Sequence, residues 1–155
     1  MKISDILSPQ AVIHGLPASS KKKLVAELAA RAAARMGVES GPIFELLWQR
    51  EKLGSTGVGH GIAIPHARLP KLDRIVGLFA QLETPVDFES IDDAPVDLVF
   101  VLLTPADAGA DHLKALAKVS RLLRNSAVCE KLRTASDGDA LYHVLTETLT
   151  GSQAA

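Results

Sequence analysis

This 155-residue chain has one cysteine, few aromatic residues and almost no excess of either charge. The one cysteine, Cys129, cannot form an internal disulfide, so nothing argues for an oxidising compartment. The 17 Lys and Arg residues against 18 Asp and Glu residues give a net charge of −1. That balance argues against a dedicated nucleic-acid binder, because such proteins neutralise phosphates with clustered cations.

Long apolar runs are absent as well. No run reaches the roughly 18 residues that a membrane-spanning helix needs, so the chain is not expected to be membrane-embedded. Asp5 and Pro9 interrupt the apolar stretch that a signal peptide requires. With 47% hydrophobic residues, the sequence predicts one cytoplasmic globular domain over residues 1–155 with a sizeable core.

The hydrophobic periodicity alternates between helical and extended segments. Ser20 and Gly37 flank a helix over residues 21–36, and Ser40 is expected to cap a second helix that ends before Gly54. The almost unbroken apolar run 96–103 is typical of a strand covered on both faces. The prediction is a single-domain α/β fold, with a mixed sheet flanked by helices on both faces. The other predicted elements are strands at 62–64 and 75–82, a loop at 84–97 in which an irregular strand is the alternative, and helices at 111–125, 128–135 and 139–149.

Residues 54–59 form a glycine-rich loop between a predicted helix and a predicted strand. Gly54 and Gly59 have the spacing of the first half of a nucleotide-binding P-loop, but His60 and Gly61 stand where Lys and Ser or Thr would follow. Without that lysine there is no charge for the terminal phosphates, which excludes the nucleotide-binding interpretation.

The same loop is suited to bind a smaller anion. The candidates are the backbone N–H groups of Ser55, Thr56, Gly57 and Gly59 and the two hydroxyls among them, because glycine allows concave clusters of amides that bind phosphate. The alternative is that these glycines only connect a helix tightly to a strand.

His66 favours the anion-binding interpretation. It follows Pro65, which is expected to end the strand at 62–64, and it would therefore lie at the rim of the sheet. Neutral imidazole is a competent nucleophile near pH 7, and Arg50 supplies a permanently charged fork one turn before the loop. Together these residues predict a phosphoryl acceptor.

These segments closely resemble the signature of the type-2 enzyme IIA domains of the phosphoenolpyruvate-dependent phosphotransferase system, which include mannitol-, fructose- and nitrogen-regulatory-type proteins. The resemblance is greatest to the nitrogen-regulatory type, and it departs from the pattern at His60 and Ala67, where asparagine and glycine are common. It lies in residues 50–51, 54–59, 61–66, 85–88, 95–100 and 112–113.

The resemblance implies a histidine phosphotransferase. His66 would accept a phosphoryl group on Nε2 from the phosphohistidine of an HPr-like carrier protein, with His112 and Arg50 assisting. The phosphorylation state would then control regulatory target proteins, for which the resemblance suggests potassium transport or sensor proteins. No cofactor or magnesium is implied, because the donor is not a nucleotide.

Several alternatives stay open at this point. The chain is either a regulatory phosphotransfer protein, a fructose- or mannitol-type enzyme IIA that passes the phosphoryl group to a transporter's IIB domain, or a binding module without chemistry. Zinc is not favoured, because no Cys or acid completes a ligand set with His60, His66 and His112. The run Lys21–Lys23 is expected to be a solvated face.

One further expectation concerns the surface around the acceptor. The apolar residues nearest to it in sequence predict an apolar, neutral rim on which a partner protein would pack. These residues are Ile62, Ile64, Ala67 and Leu69.

Overall fold

The computed structural model describes residues 1–152, so residues 153–155 of the predicted domain lie outside the described part. It has six strands, six α-helices and one short 3-10 helix (Pro9–Ala11) within that range. The strands are β1 (Val12–Leu16), β2 (Gly57–Gly59), β3 (Ile62–Ala63), β4 (His66–Leu69), β5 (Val76–Val86) and β6 (Val96–Pro105). The helices are α1 (Ile3–Ile6), α2 (Lys21–Met36), α3 (Ser40–Leu53), α4 (Ala110–Arg124), α5 (Ser126–Thr134) and α6 (Gly138–Ser152).

The six strands form one mixed sheet, which confirms the predicted fold class. Its order is β1-β5-β6-β3-β2, and β4 also pairs with β6. The long strands β5 and β6 are antiparallel, whereas β3 and β4 both run parallel to β6. The site histidine, His66, is the first residue of β4 and lies opposite Leu102 of β6.

β3 ends at Ala63, one residue earlier than predicted, so the strand does end before Pro65. The chain continues beyond it as β4, in the same register against β6 as β3 has. Pro65 has no N–H to donate, but its carbonyl accepts from the Leu102 N–H at 2.9 Å, and the Ile64 N–H donates to the Thr56 carbonyl at 3.1 Å. The proline therefore interrupts this edge of the sheet without ending it.

Two other segments that were expected to be loop are extended. Part of the glycine-rich loop forms β2, which pairs antiparallel with β3, and β5 continues to Val86 inside the predicted loop 84–97. Each of these segments is short or proline-containing, and pairing with the next strand along the chain holds it extended.

Helices α2 and α3 follow the predicted bounds. The Ser20 hydroxyl accepts from the Lys23 N–H at 3.2 Å, and Gly37 ends α2 in the left-handed conformation with φ +69°. The prediction for α3 is correct in its bounds but wrong in its cap, because Glu39 occupies the N-cap position and Ser40 is the first helical residue.

Helices cover both faces of the sheet. Residues 98–104 of β6 are all buried, and because side chains alternate between the faces of a strand, both faces must be covered. Cys129 is buried in this core as an unpaired thiol, with burial raising its pKa. In the part of the chain that the structure describes, no helix has both the length and the apolar character needed to span a membrane.

Candidate functional site

His66 presents one free ring nitrogen. Its Nδ1 lies 2.9 Å from the Ile64 carbonyl oxygen, which can only accept, so Nδ1 carries the proton in this hydrogen bond. Among the described residues nothing bonds to Nε2, whose lone pair is therefore available as a nucleophile. The pKa of His66 lies below its ordinary value, chiefly because burial disfavours the charged ring. The ring is thus neutral near pH 7.

His112 lies beside His66, in the first turn of α4. The centroids of the two rings are 5.7 Å apart, with 56° between their planes. The Nδ1 of His112 lies 2.6 Å from the hydroxyl oxygen of Thr104, near the end of β6. Burial lowers the pKa of His112, the positive charge of Arg68 lowers it further, and protonation of His66 would act in the same direction. The structure therefore brings together two neutral imidazoles that sequence analysis had paired.

Arg50 and Glu51 act on His66 with opposite charges. The Arg50 guanidinium lowers the pKa of His66 and the Glu51 carboxylate raises it, and both effects are smaller than those of burial and the Ile64 hydrogen bond. Arg50 also donates from Nη1 to the Gly54 carbonyl at 2.8 Å, which orients its guanidinium across the end of α3. The third predicted site residue is therefore close enough to His66 to act on its charge.

A buried acid holds the glycine-rich loop in place. Glu51 is only 5% exposed, and its carboxylate accepts from the N–H of Thr56 at 3.0 Å and from the Thr56 hydroxyl. Lys21 completes the group, with its ammonium 3.1 Å from Glu51 and 4.7 Å from the centre of the Phe88 ring. The expectation that Lys21 belongs to a solvated face is wrong, because its charge is needed to balance a buried carboxylate.

Four donors of the loop already have partners within the protein. Besides the two bonds from Thr56 to Glu51, the Gly57 N–H donates to the Ser55 hydroxyl oxygen at 3.0 Å, and that hydroxyl donates to the Phe88 carbonyl at 2.6 Å. Gly59 lies in β2 opposite Ile62. In this structure these groups fix the shape of the loop, and the phosphate-binding role predicted for them stays a prediction.

The far end of the loop is held by an arginine of α5. Arg133 forms a two-pronged ion pair with Asp97, with nitrogen–oxygen distances of 2.9 and 3.0 Å, and donates to the His60 carbonyl at 2.6 Å. His60 has φ +58°, and its N–H donates to Asp92 at 2.9 Å. These contacts fix the backbone of His60 in the turn between β2 and β3.

The predicted apolar rim does not exist. Its four members are no more than 7% exposed, because they lie in β3, in β4 or in the link between them and pack into the core. The exposed side chain nearest to His66 in sequence is instead the cationic Arg68. A partner that reaches His66 therefore meets positive charge. The four buried residues are Ile62, Ile64, Ala67 and Leu69.

Sequence reasoning missed three residues that shape the site. Glu51 stood beside Arg50 in the motif, but nothing in the pattern showed that it would be buried. Lys21 looked like one of three equivalent lysines. Thr104 directly follows the apolar run 96–103, and only its position opposite Arg68 in the sheet brings it to the site.

Comparison with known proteins identifies relatives over nearly the whole chain. The family profile described as "Phosphoenolpyruvate-dependent sugar phosphotransferase system, EIIA 2" matches residues 5–148. A nitrogen regulatory protein of Bradyrhizobium diazoefficiens is 55% identical over 145 residues, which cover 94% of this chain and 95% of that protein.

Solved structures agree with the sequence comparison. Nitrogen regulatory protein IIA-Ntr from Neisseria meningitidis superposes with a TM-score of 0.88 at 35% identity, covering 93% of this chain and 99% of that one. Enzyme IIA for mannitol from Escherichia coli, in its complex with phosphorylated enzyme IIB, gives a TM-score of 0.75 at 19% identity, covering 90% and 98% of the two chains. The second likeness is evidence for the fold alone.

Proposed function

Because the chain belongs to the EIIA 2 family of the phosphoenolpyruvate-dependent sugar phosphotransferase system, we propose that it is a phosphoryl-accepting regulatory protein of the nitrogen phosphotransferase system. The observation that supports this most is the free Nε2 of His66, whose Nδ1 is bound to the Ile64 carbonyl. The activity is that of a histidine phosphotransferase with a phosphohistidine intermediate. The cytoplasm is its proposed location, which the unpaired Cys129 fits.

The proposed transfer is a displacement at phosphorus. The lone pair on Nε2 of His66 attacks the phosphoryl group of a phosphohistidine on an HPr-like carrier protein. A new N–P bond forms while the carrier's N–P bond breaks, and its electron pair returns to the carrier's ring nitrogen. The His66 ring becomes positively charged and keeps its Nδ1 proton, which the Ile64 carbonyl stabilises. The donor is not a nucleotide, so the step has no need of magnesium or another cofactor.

Arg50 and His112 are proposed to stabilise the charge on the three equatorial oxygens during transfer. One donated hydrogen bond to a charged group contributes about 1.5–3 kcal/mol, or roughly ten- to hundred-fold in rate. We expect Arg50→Ala and His112→Ala each to slow phosphorylation by that factor in rapid-mixing kinetics, without changing the acceptor. Rates within twofold of wild type for both variants would remove these residues from the site.

Intact-mass analysis after incubation with the phosphorylated carrier tests the acceptor. We expect one phosphoryl group on the wild type, labile to acid and stable to base as a phosphoramidate is, and none on His66→Ala. His60→Asn is the matched control, because asparagine adopts the positive φ of that turn readily. Full labelling of the His66→Ala protein, or loss of labelling in His60→Asn, would contradict the assignment.

The regulatory output is proposed to depend on charge. Phosphorylation adds about 1.5–2 negative charges beside Arg50 and Arg68. A target protein, with potassium transport or sensor proteins as candidates, is then expected to distinguish the two forms by roughly 5- to 150-fold in affinity. Binding of one such purified target to phosphorylated and unphosphorylated wild type measures this, with His66→Ala treated in the same way as the control. Equal affinities for every candidate target would remove the regulatory mechanism.

The alternative is a sugar-transport role. The matching family profile is that of a sugar phosphotransferase system, which supports transfer onward to a IIB domain. As a test, the phosphorylated protein is mixed with purified mannitol- and fructose-type IIB domains. Rapid loss of the label to either domain would favour transport over regulation.

A further inference from the structure

The Thr104 hydroxyl has a single partner at the site. Thr104 is completely buried near the end of β6, and its oxygen lies 2.6 Å from Nδ1 of His112. Within the described residues, no carbonyl or carboxylate accepts from this hydroxyl. His112 is itself only 7% exposed, so water has little access to this pair.

The positions of the two protons follow from this isolation. A hydroxyl has one hydrogen to donate, and a buried hydrogen without an acceptor is unfavourable. If Nδ1 of His112 carried a proton, it would donate to Thr104, and the hydroxyl hydrogen would have no acceptor. If Nδ1 is unprotonated, the hydroxyl donates to it and both groups are satisfied. The proton of the neutral ring is then on Nε2.

We infer that Thr104 is a positioning residue that holds His112 in the tautomer with its proton on Nε2. His66 has the opposite tautomer, because the Ile64 carbonyl accepts from its Nδ1 at 2.9 Å. The site thus has one Nε2 that attacks and one Nε2–H that donates, on rings whose centroids are 5.7 Å apart. Burial of the ring, followed by the positive charge of Arg68, lowers the pKa of His112, which favours its neutral form and supports this assignment.

The consequence for phosphoryl transfer rests on the proposed function. A neutral donor beside a neutral nucleophile lets His112 bind a phosphoryl oxygen without first losing or gaining a proton. The hydroxyl sets which nitrogen donates, and it also holds the ring in place.

Nitrogen-15 NMR of the histidine rings tests the tautomers without any transfer. The unphosphorylated protein is compared with Thr104→Val, which keeps the shape and loses the hydroxyl, and Thr104→Ser, which keeps the hydroxyl. We expect protonated Nε2 and hydrogen-bonded Nδ1 on His112 in the wild type and in Thr104→Ser. In Thr104→Val the Nδ1 resonance should move to that of an unbonded nitrogen, with His66 unchanged. A proton on Nδ1 of wild-type His112, or the same Nδ1 resonance in Thr104→Val, would overturn the inference.

Transfer kinetics test the consequence. We expect Thr104→Val to lower the rate at saturating carrier about fivefold, as for the loss of one neutral hydrogen bond, with an unchanged KM. Thr104→Ser should restore the rate. Thr146→Val, which removes a hydroxyl that donates to the Tyr142 carbonyl in α6, is the control and should have no effect.

The two tests separate the two claims. If the wild type accepts no phosphoryl group, the proposed function fails while the NMR result still decides the tautomer. A wild-type rate in Thr104→Val would overturn the role of Thr104 in transfer.

Discussion

At the scale of single residues, His66 is tuned by neighbours that oppose each other. Burial lowers its pKa, the Ile64 carbonyl raises it, and the adjacent residues Arg50 and Glu51 then act with opposite signs. The result is a ring that is neutral at physiological pH and whose positive charge, once phosphorylated, has a carbonyl and a carboxylate to stabilise it. Glu51 thus has two roles, because it also fixes the loop through Thr56.

A substitution at Glu51 can remove its charge while keeping its size. Glu51→Gln keeps a carbonyl oxygen for the Thr56 N–H but removes the negative charge that raises the pKa of His66. We therefore expect the pKa of His66, measured by NMR titration, to fall further below its ordinary value. Glu89→Gln is the control, because Glu89 also pairs with Lys21 but is exposed and does not contact the loop. A His66 pKa that rises in Glu51→Gln, or falls equally in Glu89→Gln, would contradict this explanation.

The sequence indicates the three residues proposed for the chemistry, but it does not indicate the residues that position them. The glycine-rich loop and its flanking residues point to phosphoryl chemistry at His66 and Arg50, and the family resemblance adds His112. Lys21 and Thr104 reach the site only because α2 packs against α3 and β6 pairs with β4. No local pattern indicates such contacts.

At the scale of elements, the turn between β2 and β3 depends on one glycine. Gly61 has φ +80°, and a Cβ there would lie 2.5 Å from the Arg133 guanidinium and 2.8 Å from the Asp97 carboxylate. We expect Gly61→Ala to lower the free energy of unfolding by about 1–3 kcal/mol, through backbone strain and loss of this ion pair. Gly41→Ala, in open space within α3, should change it by less than about 1 kcal/mol. Similar urea midpoints for the two variants would contradict the role of the turn.

The elements that sequence analysis predicted correctly are those with local signals. The bounds of α2 and α3 follow from their periodicity and from the glycines that end them, which are local signals. β1, β2 and β4 have between three and five residues each, and they contain glycine or follow proline. Their extended conformation comes from pairing with β3, β5 and β6, and no segment of that length specifies such a partner by itself.

At the scale of the whole molecule, the site is built into the core. His66 begins β4, which pairs with β6 and packs on α3, His112 is in α4, which packs on β6, and burial is the largest cause of the lowered pKa of each. Protonation of either ring is therefore coupled to the folding equilibrium of the entire domain. Activity and stability should respond to the same range of pH.

The stability of the protein is expected to fall on mild acidification. The folded pKa values of His66 and His112 lie below 6.5, the ordinary value that the unfolded chain has. Between the folded and unfolded values the unfolded chain binds more protons, so the free energy of unfolding decreases as the pH drops below about 6.5 and levels off below the folded pKa values. Urea midpoints at pH 7.5, 6.5 and 5.5 measure this. The double variant His66→Asn/His112→Asn lacks both groups, so its midpoint should change less over that range, whatever its stability at pH 7.5. A wild-type midpoint that is constant or rises toward pH 5.5 would show that the two rings are not held neutral by the fold.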